Sequence, residues 1–299
     1  MNKLISISGP TAVGKTKFSI DLAKKINCEI ISFDSRQFYK EMSIGTAVPK
    51  KNELVQVKHH FIQHKSIHDS YNINQFSIDA KKLINELFKK NKYIILVGGS
   101  FLYLKSIIYG INSIPDIPNE LRHTLNNEFD KKGIDYLRKL LKELDPKYYD
   151  IVDLNNHRRL IRAIEVCKHT NKPFSSYLNG FDEKKYNHTS ICLTLERDEL
   201  YSKINKRVNN MVNMGLIEEA KDLYKYKNLN PLNTIGYKEL FNHFDGLFKI
   251  DQAIEEIKKN SRRFAKKQFT WLNNNDEHVW LNSGIRISEN LKKLEKIVL

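Results

Sequence analysis

The chain reads as an α/β fold, a parallel sheet flanked by helices with an all-helical insertion, and three observations point there. Short apolar runs bounded by Gly, Pro, Asn and Asp fall at residues 4–8, 30–33 and 93–97, with segments of 3.6-residue periodicity between them. Short buried strands alternating with helices imply a parallel sheet. From Pro115 onward the texture becomes helical and highly charged, with no convincing strand until residues 190–195. The expected organisation is a core of residues 1–114 and 190–299, its C-terminal part helical, and a helical insertion of residues 115–189.

Taken in order, the first run, Leu4-Ile-Ser-Ile-Ser8, stops at Gly9 and leads into a helix whose apolar face carries Phe18, Leu22 and Ile26. The second, Ile30-Ile-Ser-Phe33, stops at Asp34, and the third, Tyr93-Ile-Ile-Leu-Val97, at Gly98-Gly99-Ser100. Pro115 and Pro118 break the chain before the insertion. Beyond residue 195, Ile204, Val208, Met211 and Val212 share one helix face, and Ile217, Ala220 and Leu223 share another. No internal repeat or low-complexity linker separates the parts.

A chain of 299 residues buries about 75% of its unfolded surface and needs no covalent staple. Cys28, Cys167 and Cys192 are odd in number, widely spaced and free of C-x-x-C, which argues against a disulfide framework or a zinc module and for a reducing compartment. With no apolar run near the ~18 residues a bilayer requires, and an N-terminus too polar for a secretory signal, the expectation is a cytoplasmic protein with no membrane partner. Lys plus Arg exceeds Asp plus Glu by 50 − 35 = 15. That balance favours a polyanionic partner, although lysine accumulation under A+T-biased coding would produce the same net value, so placement of the charge has to decide.

Gly9-Pro10-Thr11-Ala12-Val13-Gly14-Lys15-Thr16 fits G-x-x-x-x-G-K-[ST] between a strand and a helix. The chemistry requires backbone amides that converge on phosphate oxygens, a lysine for the terminal phosphate and a hydroxyl that ligates Mg²⁺, and each is present. A nucleotide triphosphatase normally adds a metal-supporting Asp on a second strand. Here the strand of residues 93–97 ends in Gly98-Gly99-Ser100 without a carboxylate, and the acid at a strand end facing the loop is Asp34. Ligands of such sheets bind at the C-terminal strand ends, so Asp34, Ser35, Gln37 and Ser100 should converge near Lys15. A turn cap is the competing role for Asp34.

These segments together resemble the tRNA dimethylallyltransferase, or isopentenyltransferase, family. The resemblance rests on Gly9 to Thr16, Asp34-Ser35-Arg36-Gln37 with Tyr39, Ile44-Gly-Thr-Ala47, and Leu96-Val-Gly-Gly-Ser-Phe-Leu-Tyr103. It extends through Arg158-Arg159-Leu160-Ile161-Arg162-Ala-Ile-Glu165, Thr234-Ile235-Gly236-Tyr237-Lys238-Glu239, and Ala265-Lys-Lys-Gln-Phe-Thr-Trp271. It implies a P-loop NTPase-like core with a helical insertion, acting as a monomer on the anticodon stem-loop of tRNA. The implied reaction moves a dimethylallyl group from its diphosphate to N6 of the adenosine 3′ of the anticodon. Three positions depart from the family pattern: Ser100 stands for the usual Thr, Lys267 for the usual Arg, and Lys58-His-His-Phe-Ile-Gln63 for Pro-His-x-Leu-x-Asp. His59, His60, His64 and His68 offer a metal cluster, but solvated or stacking histidines near RNA are the preferred reading.

The resemblance distributes roles residue by residue. An exocyclic amine has its lone pair delocalised into the ring, so attack benefits from Asp34 as general base, a role worth about 10²–10⁴ in rate. Lys15, the loop amides, Mg²⁺ on Thr16 and Ser100 meet the charge of the leaving diphosphate. By the same resemblance Asp34, Ser35, Arg36, Gln37, Ser100, Arg122, Arg158, Arg159, Leu160, Ile161, Arg162 and Thr234, Ile235, Gly236, Tyr237, Lys238, Glu239 contact the tRNA. The run Lys258-Lys-Asn-Ser-Arg262-Arg263-Phe-Ala-Lys-Lys267 sets like charges four apart on a helix, an arrangement an anionic partner relieves. A small-molecule kinase, a nucleotide-gated RNA binder and a free-adenylate prenyltransferase compete, but none explains the loop, Asp34 and the basic ridges together.

Overall fold

The computed structural model describes residues 2–112, 114–178, 184–274 and 277–297. Six parallel strands form one sheet in the order β3-β2-β4-β1-β5-β6. They are β1 (Lys3–Ser8), β2 (Ile30–Ser32), β3 (His59–His60), β4 (Tyr93–Val97), β5 (His188–Thr194) and β6 (His278–Asn282). Between and after them run α1 (Lys15–Ile26), α2 (Lys51–Leu54), α3 (Ile73–Leu87), α4 (Phe101–Ile108), α5 (Asn119–Lys132), α6 (Ile134–Leu144), α7 (Pro146–Tyr149) and α8 (His157–Thr170). The helices end with α9 (Arg197–Asn213), α10 (Leu216–Leu223), α11 (Tyr237–Phe244), α12 (Ile250–Asn273) and α13 (Ile287–Ile297).

β1 lies between β4 and β5, with Leu4 opposite Ile94 and Ile7 opposite Ile191. Leu4, Ile5, Ile7, Ile94, Ile95 and Leu96 are all inaccessible to solvent, which is why these strands carry no polar alternation beyond small serines. Two apolar clusters cover the two faces of the sheet. One includes Ile31, Phe33, Phe76, Ile84, Leu104 and Leu240, the other Phe18, Leu22, Ile204, Ala265 and Leu281. The helix faces read from sequence behave unequally: Ile204 and Val208 are buried, whereas Met211 and Val212 are half-buried.

Two strands escaped the sequence pattern. β3 is two residues long, and β6 (His-Val-Trp-Leu-Asn) lies in a region expected to be helical. Both are edge strands, too short or too polar to stand out, with Trp280 on β6 exposed.

The chain divides into two compact units, Met1–Tyr109 with Lys184–Leu299, and Gly110–Glu183. These limits differ from the expected 115–189 because the returning chain joins the sheet unit early. The Lys185 amide donates to the Ile108 carbonyl at 3.2 Å, and β5 begins at His188. Among its described residues the second unit's regular elements are all helical, α5, α6, α7, α8 and a 3₁₀ turn at Phe174–Tyr177, around Leu125, Leu137, Leu141, Leu160 and Ile164.

Candidate active site and cationic surfaces

β1 ends where the chain must turn sharply to enter α1. Gly9 has φ +147° and a Cβ there would stand 2.7 Å from the Leu193 carbonyl, so only glycine passes the β5 backbone. The P-loop wraps the N-terminus of α1, whose orphan amides and dipole favour an anion. Lys15 Nζ donates to the carbonyls of Gly9 at 3.0 Å and Pro10 at 2.8 Å, across the mouth of the loop. Burial pushes its ammonium down to about 8, with nearby Asp34 pulling it up and Arg207 pushing it down.

Arg207 on α9 is a site residue the sequence reading missed. It donates to Thr11 Oγ1 at 3.3 Å, and burial lowers its guanidinium below the usual value against the opposing pull of Asp34. A signal existed: Arg207 sits beside Val208 and three residues after Ile204, on the buried face of α9. A second missed residue is Gln268 on α12, 4% exposed. Its Oε1 accepts the Thr11 amide at 2.9 Å and its Nε2 donates to the Gly99 carbonyl at 3.2 Å, so one side chain joins the P-loop to the β4–α4 turn.

β2 and β4 finish side by side. A Cβ on Gly98 would fall 2.7 Å from the Phe33 ring and 2.9 Å from the Asp34 amide, so the glycine lets the two strand ends touch. Ser100 Oγ accepts the Ser35 amide at 3.0 Å and lies 3.0 Å from Ser35 Oγ. Asp34 Oδ1 accepts the Arg36 amide at 3.2 Å, so one carboxylate oxygen does serve a turn. Asp34 also lines a cavity of about 40 Å³ with Lys15, Thr16, Ser19, Ser32, Gln37, His59 and apolar Pro49, Ile62 and Val97. Convergence of Lys15, Thr16, Asp34 and Gln37 is thus present, while Ser100 is held one turn away through Ser35.

Other expected contacts have internal duties. Arg36 donates to the carbonyls of Asn230 and Pro231 at 3.1 Å each, and Gln37 to those of Thr46 at 3.2 Å and Ala47 at 3.0 Å. Tyr237 is fully buried and donates to Glu219, whose carboxylate also accepts the amides of Ser43, Ile44 and Gly45 at 2.8–3.0 Å. Glu239, 6% exposed, accepts the Gly236 amide at 2.8 Å and the Asn260 side chain at 2.7 Å. Gly236 is itself buried, Thr234 and Ile235 are half-buried, and Lys238 alone of this motif is exposed. The side chains of Tyr237 and Glu239 are therefore corrected from RNA contacts to a brace for the 43–45 loop and the start of α11.

The histidines do not form a metal cluster; among the described residues no group of three or more His, Cys, Asp or Glu is placed to hold one. His60 bonds Glu29 at 2.6 Å, and His59 Nδ1 meets the Val57 carbonyl at 2.8 Å. His64 packs edge-on against Phe38, Phe61 and Tyr71 at 5.1–5.3 Å, and burial pushes it down to about 4. Of the four only His68 is exposed, its ring edge-on to Tyr226 at 4.7 Å. Gln63, at the departure from the family pattern, donates to Lys40 O at 3.1 Å and Ser43 Oγ at 2.7 Å, an uncharged substitute that still ties the loop.

Along α12 the expected ridges of like charge are partly neutralised. Lys258 pairs with Glu255 and Lys259 with Glu256, each at 2.7 Å, and Arg262 donates to Asn205 on α9 at 2.6 Å. Arg263, Lys266 and Lys267 remain on an exposed face beside Phe264, itself 44% exposed. Within the helical unit, Arg158 and Arg159 are exposed on α8, whereas Leu160 and Ile161 lie in its core at 0% and 4% and cannot present side chains to RNA. Glu165, fully buried, accepts two bonds from Arg122 at 2.5 and 2.8 Å and one from Arg162 at 2.6 Å. That pairing orders two half-exposed guanidiniums into one cationic patch.

Comparison with known proteins gives these features their context. Residues 37–275 match the sequence profile described as IPP transferase. The chain is 52% identical over 280 residues to a tRNA dimethylallyltransferase of Christiangramia forsetii, covering 93% of each chain. It is 49% identical to that of Flavobacterium psychrophilum, covering 94% of each. A tRNA isopentenylpyrophosphate transferase structure from Bacillus halodurans superposes with TM-score 0.75 at 38% identity, covering 100% of this chain and 96% of that one. A eukaryotic dimethylallyltransferase acting on tRNA superposes with TM-score 0.79 at 26% identity, over 95% and 74% of the respective chains. A profile match over residues 37–275 and about half identity over nearly the full length of curated relatives show that this chain belongs to the IPP transferase family.

Proposed function

We propose that the protein transfers a dimethylallyl group from dimethylallyl diphosphate to N6 of the adenosine 3′ of the tRNA anticodon, releasing diphosphate. The observation that carries the reading is a P-loop that shares its cavity with a lone carboxylate, Asp34 at the end of β2, while the adjacent strand β4 ends without a metal-supporting acid. The bond formed joins N6 to the allylic carbon as the bond from that carbon to the diphosphate oxygen breaks. Asp34, with one oxygen spent on the Arg36 amide, accepts the N6 proton with the other. The loop amides, Lys15 and Arg207 receive the charge that develops on the diphosphate. Thr16 is the residue that would hold Mg²⁺, and the cavity it shares with an unpartnered buried nitrogen of His59 suits a hydrated cation. When bound, Mg²⁺ neutralises diphosphate charge. Ser100, whose Oγ ties the β4 end to the β2 end through Ser35, is the hydroxyl we assign to the bridging oxygen of the diphosphate.

The acceptor is an unpaired loop, where drawing a base out of its stack costs least. Arg158 and Arg159 on α8, and Arg263, Lys266 and Lys267 on α12, are the cationic surfaces offered to its phosphates. Among the described residues no helix is long and apolar enough to cross a membrane. The proposed tRNA substrate is the ground on which we place the protein in the cytoplasm, as a monomer. The test is incubation with unmodified tRNA, Mg²⁺ and dimethylallyl diphosphate, followed by nucleoside mass analysis, with AMP and ATP run in parallel. An isopentenyl mass on tRNA adenosine and none on AMP supports the reading; no added mass, together with ATP turnover, refutes it.

A further inference from the structure

β3 pairs with β2 so that His59 stands opposite Ile30. Side chains alternate along strands, so Ile30 and Ser32 project to one face, and Ser32 lines the cavity with Asp34, just past the strand, and with Thr16 and Ser19 of α1. His59 lines the same cavity. The ring is oriented from behind: Nδ1 lies 2.8 Å from the Val57 carbonyl, which can only accept, so Nδ1 carries the proton and Nε2 presents a lone pair. That Nε2 is buried with no partner. A buried acceptor without a donor is costly and is usually matched by a water or an ion. At about 40 Å³ the cavity has room for roughly three or four waters, each needing about 10–15 Å³.

We infer that His59 is a positioning residue for the divalent cation of the diphosphate site: its Nε2 accepts a hydrogen bond from a cation-bound water in the cavity that Thr16 and Asp34 also line. The inference rests on the reading of Thr16 as the residue that holds the cation. Burial keeps the imidazole below its ordinary pKa and so neutral, as an acceptor must be. A carbonyl behind one nitrogen and an oriented lone pair on the other is the arrangement by which outer-shell groups aim a metal's waters, and loss of such a group typically weakens metal binding about 10–100-fold. The residue does not touch the reacting carbon or the adenine.

The probes are inorganic diphosphate alone in chelator and the Mn²⁺–diphosphate complex, with binding followed by calorimetry and by the Mn²⁺ spin-resonance signal. In the wild type Mn²⁺ should strengthen diphosphate binding. In His59→Leu that gain should shrink at least about tenfold while metal-free diphosphate affinity stays within a factor of two, which a folding defect would not allow. His59→Gln, whose amide oxygen can accept, should recover part of the gain and part of the ordered-water signature in the resonance spectrum. Equal gains in wild type and His59→Leu, or equal losses with and without metal in both variants, would overturn the inference and leave the transferase reading intact. A wild type that binds no diphosphate would overturn both.

Discussion

Replacing Asp34 by Asn separates its two roles. The Asn carbonyl can still accept the Arg36 amide, now at 3.2 Å, so the turn after β2 survives, whereas the acceptor for the N6 proton is lost. Removing a positioned base costs about 10²–10⁴ in rate, or roughly 3–5 kcal/mol of barrier. Asp34 is also the anion that Lys15 and Arg207 feel most directly, so its neutralisation leaves the P-loop pocket one charge more positive. Diphosphate affinity should therefore hold or improve by a few-fold, and tRNA affinity should be unchanged. The assay is single-turnover transfer to excess unmodified tRNA, quenched and read by nucleoside mass, with the KM of the donor measured separately. A kcat within tenfold of wild type, or a loss expressed in the KM of the donor alone, would refute Asp34 as the base.

Four further outcomes follow from the geometry. Gln268→Leu deletes the bonds to Thr11 and Gly99 and should cost about 1–3 kcal/mol in urea unfolding and weaken diphosphate binding; unchanged values in both would show that the P-loop and β4–α4 turn need no link. Sulfate, which does not titrate, should bind the P-loop progressively more weakly as pH rises through about 8, because Lys15 loses its proton there; constant affinity to pH 9.5 would contradict the depressed ammonium. The sign for stability is opposite: a lysine deprotonated at lower pH in the folded state than in the unfolded chain makes the fold gain stability from about pH 8 toward 10.5. Glu165→Gln should destabilise by about 1–3 kcal/mol, less than a fully buried pair because Arg122 and Arg162 can turn to water, and an unchanged melting curve would deny the ion pairs their weight. Glutamines at Arg263, Lys266 and Lys267 should lower the slope of log affinity for tRNA against log salt by up to about 2–3, at about 0.7–0.9 per lost phosphate contact, and an unaltered slope would leave that face merely solvated.

The central strands were legible because burial on both faces demands uninterrupted apolar residues: residues 93–97 coincide with β4, and the strand, loop and helix from Leu4 to Ile26 read directly. Edge strands answer to no such demand, so β3 and β6 were invisible until the sheet needed neighbours for β2 and β5. Lys15, Thr16 and Asp34 were legible for another reason, since the loop motif and the strand end place them by local geometry. Arg207 and Gln268 reach the same site from α9 and α12, nearly two hundred residues or more along the chain, and no spacing rule connects them to Thr11. The segments around Ile44 and Tyr237 lie far apart in the sequence and only the second reads there as an RNA contact, yet Glu219 binds them into one internal brace.

What this amino-acid sequence determines alone is what nearest-neighbour chemistry can impose: strand and helix periods, the phosphate-cradling loop, the carboxylate at the end of β2 and an excess of positive charge. Which cations face solvent and which are neutralised was decided by tertiary structure. Arg262 finds Asn205 on α9, and Arg122 reaches across from α5 to join Arg162 on the Glu165 carboxylate, which has no access to water. The physical reason is that a charge is worth what its surroundings make of it, and burial, tautomer and partner are properties of the packed chain rather than of its order.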